Sequence, residues 1–368
     1  MSIPGPKNSP GFRGSDMSDP VIQFADTIRA AADAKQPLNI RGGGSKTFYG
    51  NLSSGETLDV NAYRGIIEYE PTELVITARA GTPLADIEAA LREKGQMLGF
   101  EPPHFSPAST LGGCIAAGLS GPRRAYAGSA RDYVLGLRLL DGRGTDLRFG
   151  GQVMKNVAGY DVSRLITGSL GTLGVILEVS LKTLPLPPSQ MTLCREQTQA
   201  EALGLMNEWA GKPLPITATC HVDGRLYVRL AGATPAVHSA AAKLGGDTVA
   251  DGAAFWRDLR DQRHAYFAGE TTLWRLSLSS TAPELQLPGA QLIEWGGALR
   301  WLRSDGDAMS IRKAARSGDG HATRFRGGDP RTGAFHPLPS AMLKLHTRVK
   351  LAMDPAGIFN PGRLYADF

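Results

Sequence analysis

Three consecutive glycines near the start of the chain constrain its fold more than any other sequence feature. Residues 39–46 place Gly42, Gly43 and Gly44 between the cations Arg41 and Lys46, directly after a short apolar segment. Glycine has no Cβ, so its backbone N–H groups can turn toward an anion and the anion can approach closely. The pattern predicts a pyrophosphate cradle, and a glycine-rich surface turn is the alternative that these residues leave open.

Composition narrows the class of protein. The chain has 368 residues, 42% of them hydrophobic and 20% charged, which predicts a globular protein of two or three modules. Apolar runs stay short of the roughly 20 residues that a membrane helix needs, and the chain does not open with a signal sequence. We therefore expect a cytoplasmic protein whose membrane association, if any, is made through partner subunits.

Charge and cysteine content exclude two further classes of site. The 40 basic residues exceed the 35 acidic ones but are scattered, so we expect no nucleic acid binding. Cys114, Cys194 and Cys220 are far apart and form no Cys-x-x-Cys pair. An iron–sulfur cluster or a structural zinc site therefore cannot be assembled from this chain alone, and we expect no metal and reduced thiols.

The first part of the chain predicts a leader and mixed helices and strands. Residues 1–17 contain few apolar side chains, so they cannot offset the entropy of ordering and are expected to be disordered. Asp19 and Pro20 are typical of a helix start, and apolar residues at helical spacing continue to about residue 34. We expect strands at 38–41, 65–69, 74–78, 133–140, 145–149 and 175–184, and helices at 84–94 and 162–166.

Composition changes after a short linker at 185–188. All five tryptophans lie between residues 209 and 301, which indicates a second domain. Strands are expected at 217–222, 225–230, 272–279 and 321–325, with a hairpin at 291–302 and helices at 234–244, 308–315 and 340–353. This pattern predicts a repeated hairpin-plus-helix unit. We divide the chain at 18–188 and 189–339, with residues 340–368 returning to the first domain.

The glycine spacings exclude the common nucleotide-binding motifs. The sequence contains no Gly-x-Gly-x-x-Gly after a predicted strand and no Gly-x-x-x-x-Gly-Lys-Ser/Thr. We therefore do not expect NAD or a nucleoside triphosphate as the ligand. Instead, small residues cluster at 41–46, 107–118 and 168–176. A ligand that lies between two α+β modules would need such clusters on both sides.

These clusters resemble a known family. Residues 41–45, 107–113, 168–176 and the pair Arg131–Asp132 are similar to those of flavoproteins with an FAD-binding domain of the vanillyl-alcohol oxidase type. Residues 155–161, 320–323 and 359–363 further resemble the FAD-binding subunits of bacterial glycolate oxidase complexes. The resemblance implies an α+β fold: a two-subdomain FAD-binding domain of the vanillyl-alcohol oxidase type followed by an α+β cap domain.

The resemblance also implies a cofactor site. Residues 41–46 would hold the FAD pyrophosphate, 107–113 would line the other side, and residues 174–176 would contact the cofactor through backbone groups. Ser45 stands where relatives with covalently tethered flavin often have histidine, so we expect non-covalent FAD. The candidate cofactor-binding residues are Arg41, Gly42, Gly43, Gly44, Ser45, Lys46, Pro107, Ser109, Thr110, Leu111, Gly112, Gly113, Gly118, Gly171, Gly174, Val175, Ile176 and Asn360. For Asn360 a structural clamp at the chain end is an equal alternative.

Catalytic candidates lie in the expected cap domain. His321 could accept a proton, and Arg324 or Arg326 could bind a substrate carboxylate. His336 and His346 lie in the same part of the chain, and a hydrogen-bonded structural role is the alternative for all three histidines. Related 2-hydroxyacid dehydrogenases have His-x-Gly-Asp-Gly-Asn-x-His, whereas residues 317–324 lack both outer histidines, which argues against a metal site.

We therefore expect an FAD-dependent oxidoreductase acting on a CH–OH donor. The preferred hypothesis is a subunit that oxidises a small 2-hydroxy acid, glycolate, to glyoxylate beside a second FAD-containing catalytic subunit and an iron–sulfur subunit. One alternative is a self-sufficient FAD-dependent oxidoreductase for a hydroxy acid or sugar. Another is a structural subunit with no activity of its own.

Overall fold

The computed structural model describes residues 19–151, 160–366 and 368. The predicted leader, and most of the 155–161 motif that contributed to the resemblance, lie outside these residues. The first helix, α1 (Pro20–Ala34), begins at the predicted place, because the Asp19 carboxylate accepts a hydrogen bond from the Val21 N–H at 3.0 Å.

Helices and short strands in the first half surround an antiparallel sheet. Among the described residues its strand order is β3-β4-β8-β6-β7, and α2 and α3 pack on one face. A separate parallel pair, β1 and β2, packs with α1 and the end of the chain. The elements are α1 (Pro20–Ala34), β1 (Leu38–Arg41), β2 (Glu56–Asp59), β3 (Ile66–Glu70), β4 (Val75–Arg79), α2 (Leu84–Glu93), β5 (Gln96–Met97), α3 (Leu111–Ala117), α4 (Arg124–Ala127), α5 (Ala130–Tyr133), β6 (Val134–Leu140), β7 (Asp146–Gly150), α6 (Val162–Ile166), β8 (Val175–Lys182) and β9 (Leu184–Pro185).

The second half forms one antiparallel sheet that confirms the predicted repeat. Its order, β13-β10-β12-β11-β15-β16-β14-β17, reads outward from the central pair β11 and β15 as two equivalent series. Each series contains a hairpin, a preceding strand and a strand that follows a helix. The elements are β10 (Ser189–Glu196), α7 (Gln199–Ala210), β11 (Ile216–Val222), β12 (Arg225–Gly232), α8 (Thr234–Leu244), β13 (Asp247–Thr248), α9 (Gly252–Arg260), β14 (Leu273–Ser277), β15 (Ala290–Glu294), β16 (Leu299–Arg303), α10 (Ala308–Ser317), β17 (His321–Arg326) and α11 (Ser340–Met353).

Several of these elements had not been predicted, among them α3, α7, α9 and β10. The two glycines of α3 disfavour a helix, but Thr110 caps the helix and tertiary packing stabilises it. β10 mixes polar and apolar residues without a clear alternation, because it is only partly buried. For α7, the capping box of Thr198 and Glu201 was a readable signal that the sequence analysis missed. The predicted domain boundaries stay predictions.

The end of the chain returns to the first strand. The Leu38 N–H donates to the Ile358 carbonyl at 2.7 Å, and the Asn360 N–H donates to the Leu38 carbonyl at 2.9 Å. Buried Lys350 donates to Asp354, to the Phe359 carbonyl and, across the chain, to the Thr172 carbonyl. These contacts place the tail beside β1 and beside the turn that precedes β8.

Candidate cofactor groove and cap-sheet face

The glycine loop after β1 packs directly against the start of α3. A Cβ on Gly43 would lie 1.4 Å from the Ala108 carbonyl oxygen, and one on Gly42 would lie 2.6 Å from the Thr110 hydroxyl. Gly44 has a φ of +68°, which side chains disfavour. The run is therefore no free surface turn, because two of its glycines are required by close contact with a second backbone segment.

A groove runs between this loop and α3. It has a volume of about 270 Å³. A deeper cavity of about 70 Å³ adjoins it and shares Ile40, Gly42, Gly113, Ala116, Leu170 and Asn360 with it. The hydroxyl of Ser53 is buried at the groove wall and has no hydrogen-bond partner among the described residues. Such an orphan hydroxyl is what a polar ligand would satisfy.

The structure brings most of the predicted cofactor residues together. The groove is lined by Arg41, Gly42, Gly43, Gly44, Ser45, Lys46, Thr110, Gly113 and Asn360, and the deeper cavity adds Gly112, Gly171, Gly174 and Ile176. The loop and the clusters at 107–118 and 168–176 thus face one space. Sequence reasoning missed Thr47, Leu52 and Ser53, which also line the groove and carry no local motif.

Five predicted cofactor residues lie outside the lining of these cavities. Pro107 is exposed, whereas Leu111 and Val175 are buried in the apolar cores. Ser109 is buried and hydrogen-bonds Lys46. Gly118 ends α3 in the left-handed conformation, and a Cβ there would lie 2.9 Å from the Gly168 Cα. Their direct contact with a cofactor stays a prediction.

Lys46 carries a buried charge at the inner end of the loop. Its Nζ donates to the Ser109 hydroxyl at 2.8 Å and to the Ser45 hydroxyl at 3.2 Å, and no carboxylate of the described residues pairs with it. Burial lowers the pKa of Lys46, although Cys114 and Asp261 act in the opposite direction. A bound anion would compensate this charge.

Two tail residues fix the walls of the groove. The Asn360 side chain accepts from the Ile40 N–H at 2.8 Å and donates to the Leu170 carbonyl at 2.6 Å. It therefore clamps β1 to the turn before β8 while also facing the groove. Arg363 donates to the carbonyls of Lys46, Thr47 and Tyr49, so it holds the chain that leaves the glycine loop.

The inner face of the cap sheet meets the other side of this chain segment. Phe48, Tyr49 and Phe105 contact Phe325, with ring centroids 5.1 to 6.3 Å apart. Arg326 lies over the Phe48 ring at 4.8 Å and donates to Gln262. Of the predicted catalytic residues, Arg326 therefore lies at the interface between the sheet and the segment after the glycine loop.

The structure separates Arg324 from this interface. A β-bulge pairs Arg326 with Leu273 and Arg324 with Trp274, and Trp274 belongs to the core beneath α10 on the opposite face. Arg324 donates to the Gly327 carbonyl. Arg324 and Arg326 are thus on different faces, and a shared carboxylate clamp between them is not formed.

The histidines also have different surroundings. His321 pairs with Ser277 in the sheet, and desolvation, together with Arg275 and His336, lowers its pKa. His336 accepts from the Ala322 N–H at 3.3 Å and contacts Arg316. His346 packs against Tyr365 and Phe368. Among the described residues, the side chain of His336 makes hydrogen bonds, whereas those of His321 and His346 make none.

Comparison with known proteins decides the ligand of the groove. The family model described as FAD binding domain matches residues 21–150, which include the glycine loop, α3 and much of the first sheet. Glycolate oxidase subunit GlcE of Escherichia coli is 51% identical over 356 residues, 97% of this chain and 99% of that protein. The chain belongs to this family.

Two further similarities agree with this membership. Glycolate oxidase subunit GlcD of Bacillus subtilis is 34% identical over 213 residues, which cover 55% of this chain and 45% of that protein. The solved structure of an alkyldihydroxyacetonephosphate synthase covers 92% of this chain and 74% of its own, with a TM-score of 0.62 and 15% identity. It confirms the predicted vanillyl-alcohol oxidase-type α+β fold.

The family membership identifies the cofactor as FAD, and the groove fits it. The glycine cradle, the uncompensated Lys46 charge and the orphan Ser53 hydroxyl surround one space. In the part of the chain that the structure describes, no group of three His, Cys, Asp or Glu side chains could hold a metal ion. None of the described helices is both long and apolar enough to cross a membrane.

Proposed function

We propose that this chain is the FAD-binding subunit of a glycolate oxidase assembly that oxidises glycolate to glyoxylate. The observation that carries the proposal is the 51% identity to glycolate oxidase subunit GlcE along nearly the full length of both chains. The similarity to glycolate oxidase subunit GlcD supports hydroxy-acid oxidation within an assembly.

In this proposal the chain positions FAD, which supplies the capacity to accept the electrons of the CH–OH donor. Residues 42–45 would place their backbone against the pyrophosphate, and Arg41 and Lys46 would balance its charge. The apolar walls Ala116, Ala117 and Leu170 would pack on the flat part of the cofactor. The Ser45 hydroxyl is no nucleophile toward flavin, which supports non-covalent binding.

The cap sheet would supply the proton acceptor. His321 has a lowered pKa, so its imidazole is neutral near pH 7 and can accept a proton from the substrate hydroxyl. Arg326 lies on the same side of the sheet, within the aromatic contacts that would exclude water from the reacting atoms. Arg324 fits this role less well, because it belongs to the opposite face.

Onward electron transfer would require partners. The chain has three separated cysteines and therefore no ligand set for an iron–sulfur cluster. We accordingly propose a second FAD-containing catalytic subunit and an iron–sulfur subunit as partners, and membrane association only through them.

The test is to isolate the assembly from native cells through a tag on this chain. We expect the assembly to show a visible flavin spectrum and to reduce an artificial acceptor when glycolate is added. This glycolate-dependent reduction should be lost when this chain is absent. FAD should be released on denaturation, whereas flavin that stays with the unfolded chain would contradict non-covalent binding.

The same preparation separates the alternatives. Brisk oxidation of glycolate or D-lactate by the purified chain alone would establish a self-sufficient enzyme and overturn the subunit proposal. A colourless chain that cannot be reconstituted with FAD would establish a structural subunit.

A further inference from the structure

A second cavity is lined by residues from both halves of the fold. Its volume is about 260 Å³, close to the 270 Å³ of the cofactor groove, and the two spaces share no lining residue. Part of its lining comes from α2 and residues 96–101, and the rest comes from the linker at 185–188, β10, β12 and α9. A molecule that filled this cavity would therefore contact both the first half of the chain and the cap domain.

The acids of this cavity already have partners. Glu101 accepts from Arg229 at 2.9 Å and from Arg123 at 3.3 Å. Glu88 lies 3.6 Å from the Arg260 guanidinium group. Among the described residues that line the cavity, Glu88 and Glu101 are the two carboxylates. Neither is therefore free to neutralise a further cation.

Two other arginines of the lining have no such partner. Arg92 lies in the last turn of α2, and Arg257 lies in the last turn of α9. In the described part of the chain, neither guanidinium group makes an ion pair or a hydrogen bond. The lining thus holds four arginines and two glutamates, and its two surplus positive charges come from opposite halves of the chain.

Exposure alone does not account for this arrangement. Arg92 and Arg257 are both exposed, and water alone can satisfy an exposed arginine. These two, however, line one concave space, where like charges repel each other. A cleft lined by an excess of one sign of charge concentrates ions of the opposite sign. The cavity therefore favours an anion over water.

Much of the remaining lining is apolar. Met97 and Leu98 contribute from the first half, Leu186 from the linker and Trp256 from α9. Trp256 is buried and its Nε1 donates to the Thr192 hydroxyl at 3.0 Å, so the indole has a fixed position. Small-molecule sites typically combine such apolar walls with a few placed polar groups. A hydrated inorganic ion would leave these walls without contact, whereas a carbon skeleton would cover them.

We propose that this cavity binds a small organic dianion, a dicarboxylate or a phosphate ester, with Arg92 and Arg257 as its charged contacts. Guanidinium groups donate paired hydrogen bonds to carboxylate and phosphate alike. Two arginines suit two negative charges, and the apolar walls suit the carbon skeleton between them. The dianion is a ligand additional to FAD, because the cofactor groove has a separate lining. Once bound, it connects α2 of the first half to α9 of the cap domain.

Isothermal titration of the full-length FAD-loaded chain tests the proposal. The probes are succinate for a dicarboxylate and glycerol 3-phosphate for a phosphate ester. Butyrate is the comparison with one charge, and succinamide is the uncharged one. The variants are Arg92→Gln and Arg257→Gln. The matched control is Arg348→Gln, which changes an exposed arginine of α11 outside the cavity lining.

At least one of the two dianions should bind the native chain, and each glutamine variant should weaken that binding about tenfold or more, because charge-assisted hydrogen bonds are lost. Butyrate should bind about tenfold more weakly than the dianion, and succinamide should not bind. Without ligand the variants should melt as the native chain does, since both positions are exposed. The dianion should raise the melting temperature of the native chain and of Arg348→Gln more than that of either cavity variant.

The comparison of the two dianions assigns the ligand: tighter succinate indicates a dicarboxylate, and tighter glycerol 3-phosphate indicates a phosphate ester. Absence of binding by both would overturn the proposal. So would dianion affinity that both cavity variants retain, or butyrate that binds as tightly as the dianion. These measurements involve no turnover, so their failure leaves the proposed glycolate oxidation intact, and a failure of glycolate oxidation by the assembly leaves the dianion site intact.

Discussion

At the scale of single residues, Gly43 is where the glycine loop tolerates least change. Its missing Cβ leaves room for the Ala108 carbonyl in the segment before α3, and Gly43 itself lines the FAD groove. A side chain must push these two backbone segments apart, so the loss concerns both packing and cofactor geometry.

We expect Gly43→Ala to lower the melting temperature and to abolish retention of FAD. Overpacking costs about 1–3 kcal/mol, which corresponds to several degrees in a chain of this size. Gly204→Ala is the control, since a Cβ there meets nothing within 4 Å and alanine favours the helix. Thermal unfolding and the ratio of flavin to protein absorbance measure both effects. Full FAD content in Gly43→Ala would show that the loop can shift to accept a side chain, which would contradict the prediction.

Asn360 offers a second test at this scale. In Asn360→Asp the side chain can still accept from the Ile40 N–H but cannot donate to the Leu170 carbonyl, and it adds a buried charge. We expect a loss of about 2 kcal/mol or more in the free energy of unfolding. Denaturant titration measures it. Asn61→Asp, at an exposed position, is the control, and equal stability of the two variants would contradict the clamp role.

At the scale of elements, the cap sheet places charged groups between apolar layers. Glu294 in β15 is almost fully buried, faces Trp301 of β16 and lies near Arg275 of β14. Burial raises its pKa from 4.5 to about 7. The folded chain therefore holds a proton that the unfolded chain releases, and this stabilisation is lost as the pH rises from about 4.5 through 7.

Glu294→Gln should remove that dependence. Glutamine can still accept from the Trp301 indole, so the variant should be more stable than the native chain at pH 8, by up to roughly 3 kcal/mol from the size of the shift. Near pH 4.5 the two should be similar. Melting temperatures between pH 5 and pH 8 measure the difference. Profiles that run parallel would contradict it, and Glu196→Gln, on the exposed end of β10, serves as the control.

At the scale of the whole molecule, one buried ion network joins loop residues of the first half to the cap sheet. Glu101 accepts from Arg229 of β12 at 2.9 Å and from Arg123 at 3.3 Å. Burial alone would raise the pKa of Glu101, but the two arginines bring it below its ordinary value. Arg229 also donates a hydrogen bond to the Thr217 hydroxyl and lies over the Trp256 ring. These contacts hold its guanidinium group in a single orientation toward Glu101.

Glu101→Gln should destabilise the chain by about 3–5 kcal/mol, because it leaves a buried arginine without its partner. The double variant Glu101→Leu/Arg229→Met should recover much of this loss. Urea unfolding followed by tryptophan fluorescence reports mainly on the second half, which holds every tryptophan. A Glu101→Gln effect no larger than that of Glu208→Gln in the exposed pair with Lys212 would rule the network out as a stabiliser.

Much of this architecture could be predicted from local sequence. The glycine loop, α1 with its Asp19 cap, the hairpin of β11 and β12 and the whole of α11 follow from short-range signals. Turn residues, caps and periodicity act over a few positions, so they are readable in one sequence. The resemblance carried by the glycine clusters extended this reading to FAD and to the fold.

The tertiary structure decided which side chains share a place. A single bulged residue, Phe325, puts Arg324 and Arg326 on opposite faces, and no pattern in β17 shows this. Arg124 and Arg275 both lie over the Trp295 ring although they are 151 positions apart in the chain, and Glu101 pairs with Arg229 across 128 positions. Such pairings depend on how sheets and helices pack. The sequence by itself therefore determined the cofactor class and the local elements, whereas the packed fold determined the groove walls and the charged groups that face them.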